Sequence, residues 1–169
     1  MAHSEGLTAL EVLGVAIKSE IEAASLYARM AGQVRNASLA AKLDFLRREE
    51  EKHRTILQGL YARRFPEVEL QLPAESSVPP IDVAALPGMT VPELFQLAMK
   101  AEQLAADSYS READRSYDEM GRTTLRYLGN IERGHYHMLE TEYELVSRFP
   151  DYYNADEFHF GDELMHIGA

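Results

Sequence analysis

The sequence predicts an all-α protein, a four-helix bundle with one long crossover between helices 2 and 3, built from two similar helical hairpins. Three observations point there. Apolar residues recur at three- and four-residue steps in four long stretches, capping residues and prolines bracket those stretches, and most of the prolines fall in one segment between the second and third.

Ser4 or Thr8 can cap a first helix running to about Val34, with Leu10, Leu13, Ile17, Ile21, Ala24 and Ala28 on its inward stripe. A second follows almost at once. Asn36 or Ser38 caps it, and Leu39, Leu43, Leu46, His53, Ile56, Leu57 and Leu60 continue inward until Phe65-Pro66 stops it. From residue 66 to 89 the composition turns to proline, serine and glycine, which predicts a long irregular crossover. Thr90 caps the third helix, with Pro92 and Glu93 in its first turn, where a rigid ring and a negative charge are favoured. Leu94, Leu97, Ala98, Ala101, Ala105 and Tyr109 face inward, and the helix ends near Tyr117. Gly121 falls in the short break expected before a fourth helix, whose stripe of Leu125, Leu128, Ile131, Leu139 and Leu145 stops at Phe149-Pro150. The expected division is a bundle over 1–150, with hairpins 5–65 and 90–149 and crossover 66–89, followed by a polar-aromatic tail over 151–169. Short links make antiparallel neighbours, and the single crossover departs from simple up-down-up-down order.

The 169 residues carry 28 Asp and Glu against 17 Lys and Arg, a net charge of -11. That balance argues against nucleic acid or anionic lipid as partner and favours cations. There is no cysteine, so any metal must sit on nitrogen and oxygen. The N-terminal residues lack a secretory profile and no apolar run is long enough for a membrane span, so the expected location is the cytoplasm.

Sliding the chain against itself by 82 residues superimposes its halves without a gap. Glu20 meets Glu102, Tyr27 meets Tyr109, Glu50 meets Glu132 and His53 meets His135. Leucine matches are what any two amphipathic hairpins show. The Glu, His and Tyr matches differ in kind, because all four carboxylates lie in the apolar phase of their helices, where an unpartnered charge costs several kcal/mol. Lys18 and Lys100 are out of phase, and Arg29 and Arg111 are more than two turns away. Metal is the economical neutraliser. Glu50-x-x-His53 and Glu132-x-x-His135 each put a carboxylate and an imidazole one turn apart, and Glu20 and Glu102 complete a set that suits two divalent ions. Glu20 and His53 are expected to serve one ion and Glu102 and His135 the other, with Glu50 and Glu132 bridging as the catalytic carboxylates. Iron is the first choice, with manganese or zinc as substitutes. Tyr27 and Tyr109 lie two turns beyond Glu20 and Glu102, placed to hydrogen-bond a ligand carboxylate of the opposite hairpin.

On these residues the chain resembles the rubrerythrin family of the ferritin-like superfamily, over about residues 5 to 148. The resemblance implies a non-haem diiron oxidoreductase that reacts with hydrogen peroxide or O2, as a peroxidase or ferroxidase in oxidative-stress defence. Family members take electrons from a rubredoxin-like centre built on four cysteines. None is present here, so an external rubredoxin-like protein is the implied electron donor. The family also tends to carry an additional Glu one turn after the first Glu of the third helix, where this chain has Ala105. A non-catalytic iron store or delivery protein, or the same bundle holding manganese or zinc, remains the alternative. Exterior apolar positions and the aromatic tail suggest a homodimer or higher homo-oligomer.

Other residues read more simply. Glu49, Glu51, Glu140, Glu142 and Glu144 form a solvated face. His137 is a surface residue. Met30, Met89, Met99, Met120 and Met138 fill core or anchor loops. His3, His159 and His166 have no assigned role; a metal- or partner-binding tail would use Glu157, His159, Glu163 and His166.

Overall fold

A computed structural model describes residues 7–153. The tail residues Glu157, His159, Glu163 and His166, together with His3 and Ser4, lie outside the described residues. Four helices carry the fold: α1 (Ala9–Gln33), α2 (Ala37–Arg64), α3 (Val91–Arg115) and α4 (Glu119–Arg148), with a short 3₁₀ turn at Leu86–Gly88 before α3. Among the described residues there is no strand, as an all-helical, ferritin-like bundle requires. None of these helices is long and apolar enough to cross a membrane.

Local chemistry sets each start. Thr8 and Thr90 build the same capping box: each hydroxyl accepts from the backbone N–H of the Glu three residues on, and that Glu accepts from the Thr backbone N–H. The Asn36 side chain accepts from Leu39 N–H at 2.9 Å and starts α2. Asp118 does the same for α4 through Gly121 N–H at 2.7 Å. Gly121 therefore stands in the first turn of α4 instead of in the expected break, which is residues 116–118. A Cβ there would come within 2.9 Å of the Ser116 hydroxyl, so the glycine serves close packing of the turn against the helix.

α1 packs along α2 and α3 along α4, and α1 also meets α3 and α4. The core forms two apolar ends. One holds Tyr27, Met30, Leu39, Leu43, Leu46, Leu94, Phe95 and Leu139; the other holds Leu13, Ile17, Leu57, Tyr109, Leu125 and Leu128. On every helix the candidate ligands fall between the residues of one end and those of the other, so a single polar layer crosses the middle of the bundle.

Two stripe positions depart from expectation. Ala28 and Ile56 are exposed, each about 100° round the helix from the buried residue beside it, Tyr27 and Leu57. Met138 is exposed as well, while Met30 is fully buried. Glu142 belongs to no solvated face: it pairs with Lys42 and accepts a 2.6 Å hydrogen bond from the Tyr153 hydroxyl. Tyr153 is itself buried against Phe95, so the first residues beyond α4 fold back on the bundle.

Candidate metal centre

Glu20, Glu50, Glu102 and Glu132 are all buried to within a few per cent, and His53 and His135 nearly so. The structure brings together all six residues that the repeat singles out. They form two overlapping groups, Glu20, Glu50, His53 and Glu132, and Glu50, Glu102, Glu132 and His135. Within each group, the ligand atoms lie within 4.8 Å of one another. Glu50 and Glu132 belong to both, as residues that bridge two ions must.

Both imidazoles turn Nδ1 to the acids. His53 Nδ1 is 3.3 Å from Glu20 Oε2 and 3.2 Å from Glu50 Oε2. His135 Nδ1 is 3.2 Å from Glu132 Oε2, 3.3 Å from Glu50 Oε1 and 3.7 Å from Glu102 Oε2. The rings stack with centroids 5.7 Å apart. The two tyrosines cross between hairpins: the Tyr27 hydroxyl donates to Glu102, and the Tyr109 hydroxyl donates to Glu20 at 2.6 Å. Burial, with the neighbouring carboxylates adding to it, pushes both phenols well above their usual range, so both remain O–H donors. His137, as expected, is on the surface, beside Glu140.

Among the described residues no lysine or arginine pairs with the four acids; only the two histidines do. Burial pushes the Glu20 carboxyl up to about 8, although His53 and Tyr109 pull the other way. Burial, reinforced by Glu50, likewise raises Glu132 well above the carboxylate range. Burial opposes charge on Glu50 too, but the two imidazoles beside it prevail and hold it down to about 2. Burial also works against protonated imidazoles, yet the acids raise His53 to about 9 and His135 to about 12. Protons can thus do for these acids what cations would do. Within the cluster, Glu50 Oε1 accepts no well-aligned hydrogen bond; its neighbour is His135 Nδ1 at 3.3 Å. A carboxylate oxygen without an aligned donor, among other oxygen and nitrogen groups, fits a site that can hold a metal ion.

The rubrerythrin family model matches residues 11–143. The chain belongs to the rubrerythrin family. A solved structure of a hypothetical protein from Pyrococcus furiosus is similar at 36% identity and a TM-score of 0.66, covering 83% of this chain and 90% of that one. No curated protein matches. Membership in the rubrerythrin family brings metal binding and suggests an oxidoreductase, and the buried cluster is compatible with both.

Sequence reasoning did not find the roof of this site. Residues 78–83 of the crossover line, with α1 and α3, a cavity of about 240 Å³ that reaches all four acids. The available signal was the apolar cluster Val78, Ile81 and Val83 around Pro79-Pro80, unusual in an exposed loop.

Proposed function

We propose that this chain is a non-haem diiron oxidoreductase that binds two iron ions and reacts with hydrogen peroxide or O2. The observation that carries the reading is the pair of overlapping four-residue groups sharing Glu50 and Glu132. Glu20 and His53 would hold one ion, Glu102 and His135 the other, and the shared carboxylates would reach both. Four carboxylates offset the charge of two divalent ions, and oxygen-rich ligation with two imidazoles suits iron, with manganese next. A ferrous pair bound there supplies two electrons together.

The chain's own residues prepare the site. Tyr27 and Tyr109 fix the lone carboxylates of the opposite hairpin, so neither swings free when its charge changes. Leu46 and Leu128, buried one turn before Glu50 and Glu132, close the layer on the α2 and α4 side. The electron donor would be a rubredoxin-like centre outside these 169 residues. A role in peroxide defence and assembly as a homodimer belong to the same proposal.

The test is anaerobic loading with ferrous iron. Metal analysis should stop near two ions per chain, and a ferric absorption bleached by reductant should return with about one peroxide per pair. Uptake of many ions per chain would indicate a store. Bound iron that does not cycle would overturn the redox assignment.

A further inference from the structure

The crossover is tied across the groove between α1 and α3. The Ser76 hydroxyl donates to Glu22 on α1 at 2.6 Å, and the buried Ser108 hydroxyl of α3 donates to the Ser77 carbonyl at 2.6 Å. The next residues roof the cavity of about 240 Å³ whose floor is the carboxylate layer.

The cavity exists because the helices supply small side chains on both sides of the lone acids. Ala23 and Ala105 follow Glu20 and Glu102 by three residues and are equivalent in the 82-residue repeat; Ala101 immediately precedes Glu102. Leu26, Pro80 and Ile81 complete the apolar walls, and polar side chains away from the floor occur mainly at exposed positions such as Glu22 and Arg29.

Size decides what such a space suits. An apolar cavity of ~150 Å³ holds a benzene-sized guest, and a water takes ~30 Å³ in the liquid. Hydrogen peroxide or O2 would occupy a small part of this cavity and gain little from its walls. An organic molecule with an apolar body and one small polar end would fill it. The floor is polar: Glu20, Glu50, Glu102 and Glu132 all line it.

Resting on the diiron reading above, we infer that this cavity binds the hydrocarbon part of an organic hydroperoxide. Its –OOH end points at the carboxylate layer, and Ala23 and Ala105 set the size accepted. Breaking the O–O bond takes two electrons, which a bound ferrous pair would supply, and two protons from water, and leaves an alcohol and water. The alcohol product has the same shape and needs no electrons, so it serves as the probe.

2-Phenyl-2-propanol titrated into the full chain, as isolated and after metal removal, should bind with saturation. Amide shifts should be largest at Ala23, Ala101 and Ala105. Ala105→Phe should weaken that binding by about tenfold or more, as filling a pocket by more than one methylene does, with the metal content unchanged. If Ala105→Phe loses helicity, Ala105→Val and Ala23→Val should each give a smaller loss in the same direction. In iron-loaded protein the same substitutions should lower turnover of cumene hydroperoxide relative to hydrogen peroxide. Two ions per chain with no saturable alcohol binding, with shifts elsewhere, or with affinity indifferent to every variant, would overturn the cavity assignment alone. Alcohol binding in a chain that takes up no iron would overturn hydroperoxide reduction together with the diiron reading.

Discussion

The two hairpins offer the same ligands at the same spacing and place them in unlike surroundings. Each begins with a capping-box threonine, continues with a lone Glu and a Tyr two turns on, and returns with Glu-x-x-His. Yet Glu50 lies between the two imidazoles, 3.2 Å from one and 3.3 Å from the other, whereas Glu132 is paired with His135 alone. Glu50 is therefore pushed toward its charged form and Glu132 toward its protonated form. A repeat in sequence specifies which ligands meet; the side of the pair on which each ring lands decides their charge.

The sharpest way to break this comparison is to remove one bridging carboxylate at a time. With metal, Glu50→Ala and Glu132→Ala should look alike: both should abolish binding of the ion pair, with helicity by circular dichroism largely kept. Without metal they should part. Glu50→Ala strips two buried cationic rings of their common anion and should cost about 3 kcal/mol in urea unfolding, as breaking a buried ion pair does. Glu132→Ala removes a carboxyl that burial and Glu50 push toward its protonated form, and should cost clearly less. Equal losses in chelated protein would mean the asymmetry is not real.

Acidity offers a second test on the same contrast. Glu20 is raised from 4.5 to about 8 and His53 from 6.5 to about 9. A raised folded-state value contributes stability below the unfolded value and loses it as pH climbs through the folded one. Glu50, lowered to about 2, has the opposite sign, and its contribution is lost only as pH falls from 4.5 toward 2. Metal-free protein should thus become less stable between about pH 5 and 9, and metal uptake at pH 7 should release protons measurable in weakly buffered solution. Chelated protein that gains stability over that range would contradict the charge assignment.

How much of this was legible follows from particular residues. The clustering of the four acids and two imidazoles and the crossing of Tyr27 and Tyr109 are readable because acids and imidazoles in an apolar phase are costly and the repeat doubles the signal. Ala28 and Ile56 were misplaced because an apolar side chain near the edge of a stripe is equally consistent with shoulder and core, and only the neighbouring helix decides. Gly121 misled because a glycine marks a break and a close approach with the same letter. The folded-over roof at 78–83 and the Glu142–Tyr153 bond depend on contacts between distant segments that no local period encodes.

The tyrosines sharpen the comparison further. Tyr109→Phe leaves Glu20 without its phenol and Tyr27→Phe does the same to Glu102. Each should weaken one ion by about 10- to 100-fold, the usual cost of losing a ligand's supporting hydrogen bond. The affected ion should be the one beside His53 in the first variant and the one beside His135 in the second. Stepwise metal titration with imidazole resonances followed by NMR distinguishes them. Equal loss at both ions would show that the hairpins act as one unit.

The smallest effect tests where the halves should be equal. Thr8 and Thr90 make the same reciprocal pair of hydrogen bonds, with Glu11 and Glu93 accepting from the cap N–H at 2.8 Å and 2.7 Å. Those backbone N–H bonds, with the Thr hydroxyls assisting, hold both carboxyls below their ordinary range. Both boxes are exposed and distant from the acidic layer, so the contrast between Glu50 and Glu132 has no route to them. Thr8→Ala and Thr90→Ala should each cost about 1 kcal/mol, and the double variant about the sum, since sites without shared partners add. Metal stoichiometry should not move in any of the three. A single cap that costs several times the other would mean that one hairpin depends on its partner for its fold, and the equivalence of the two halves would then end at the ligands.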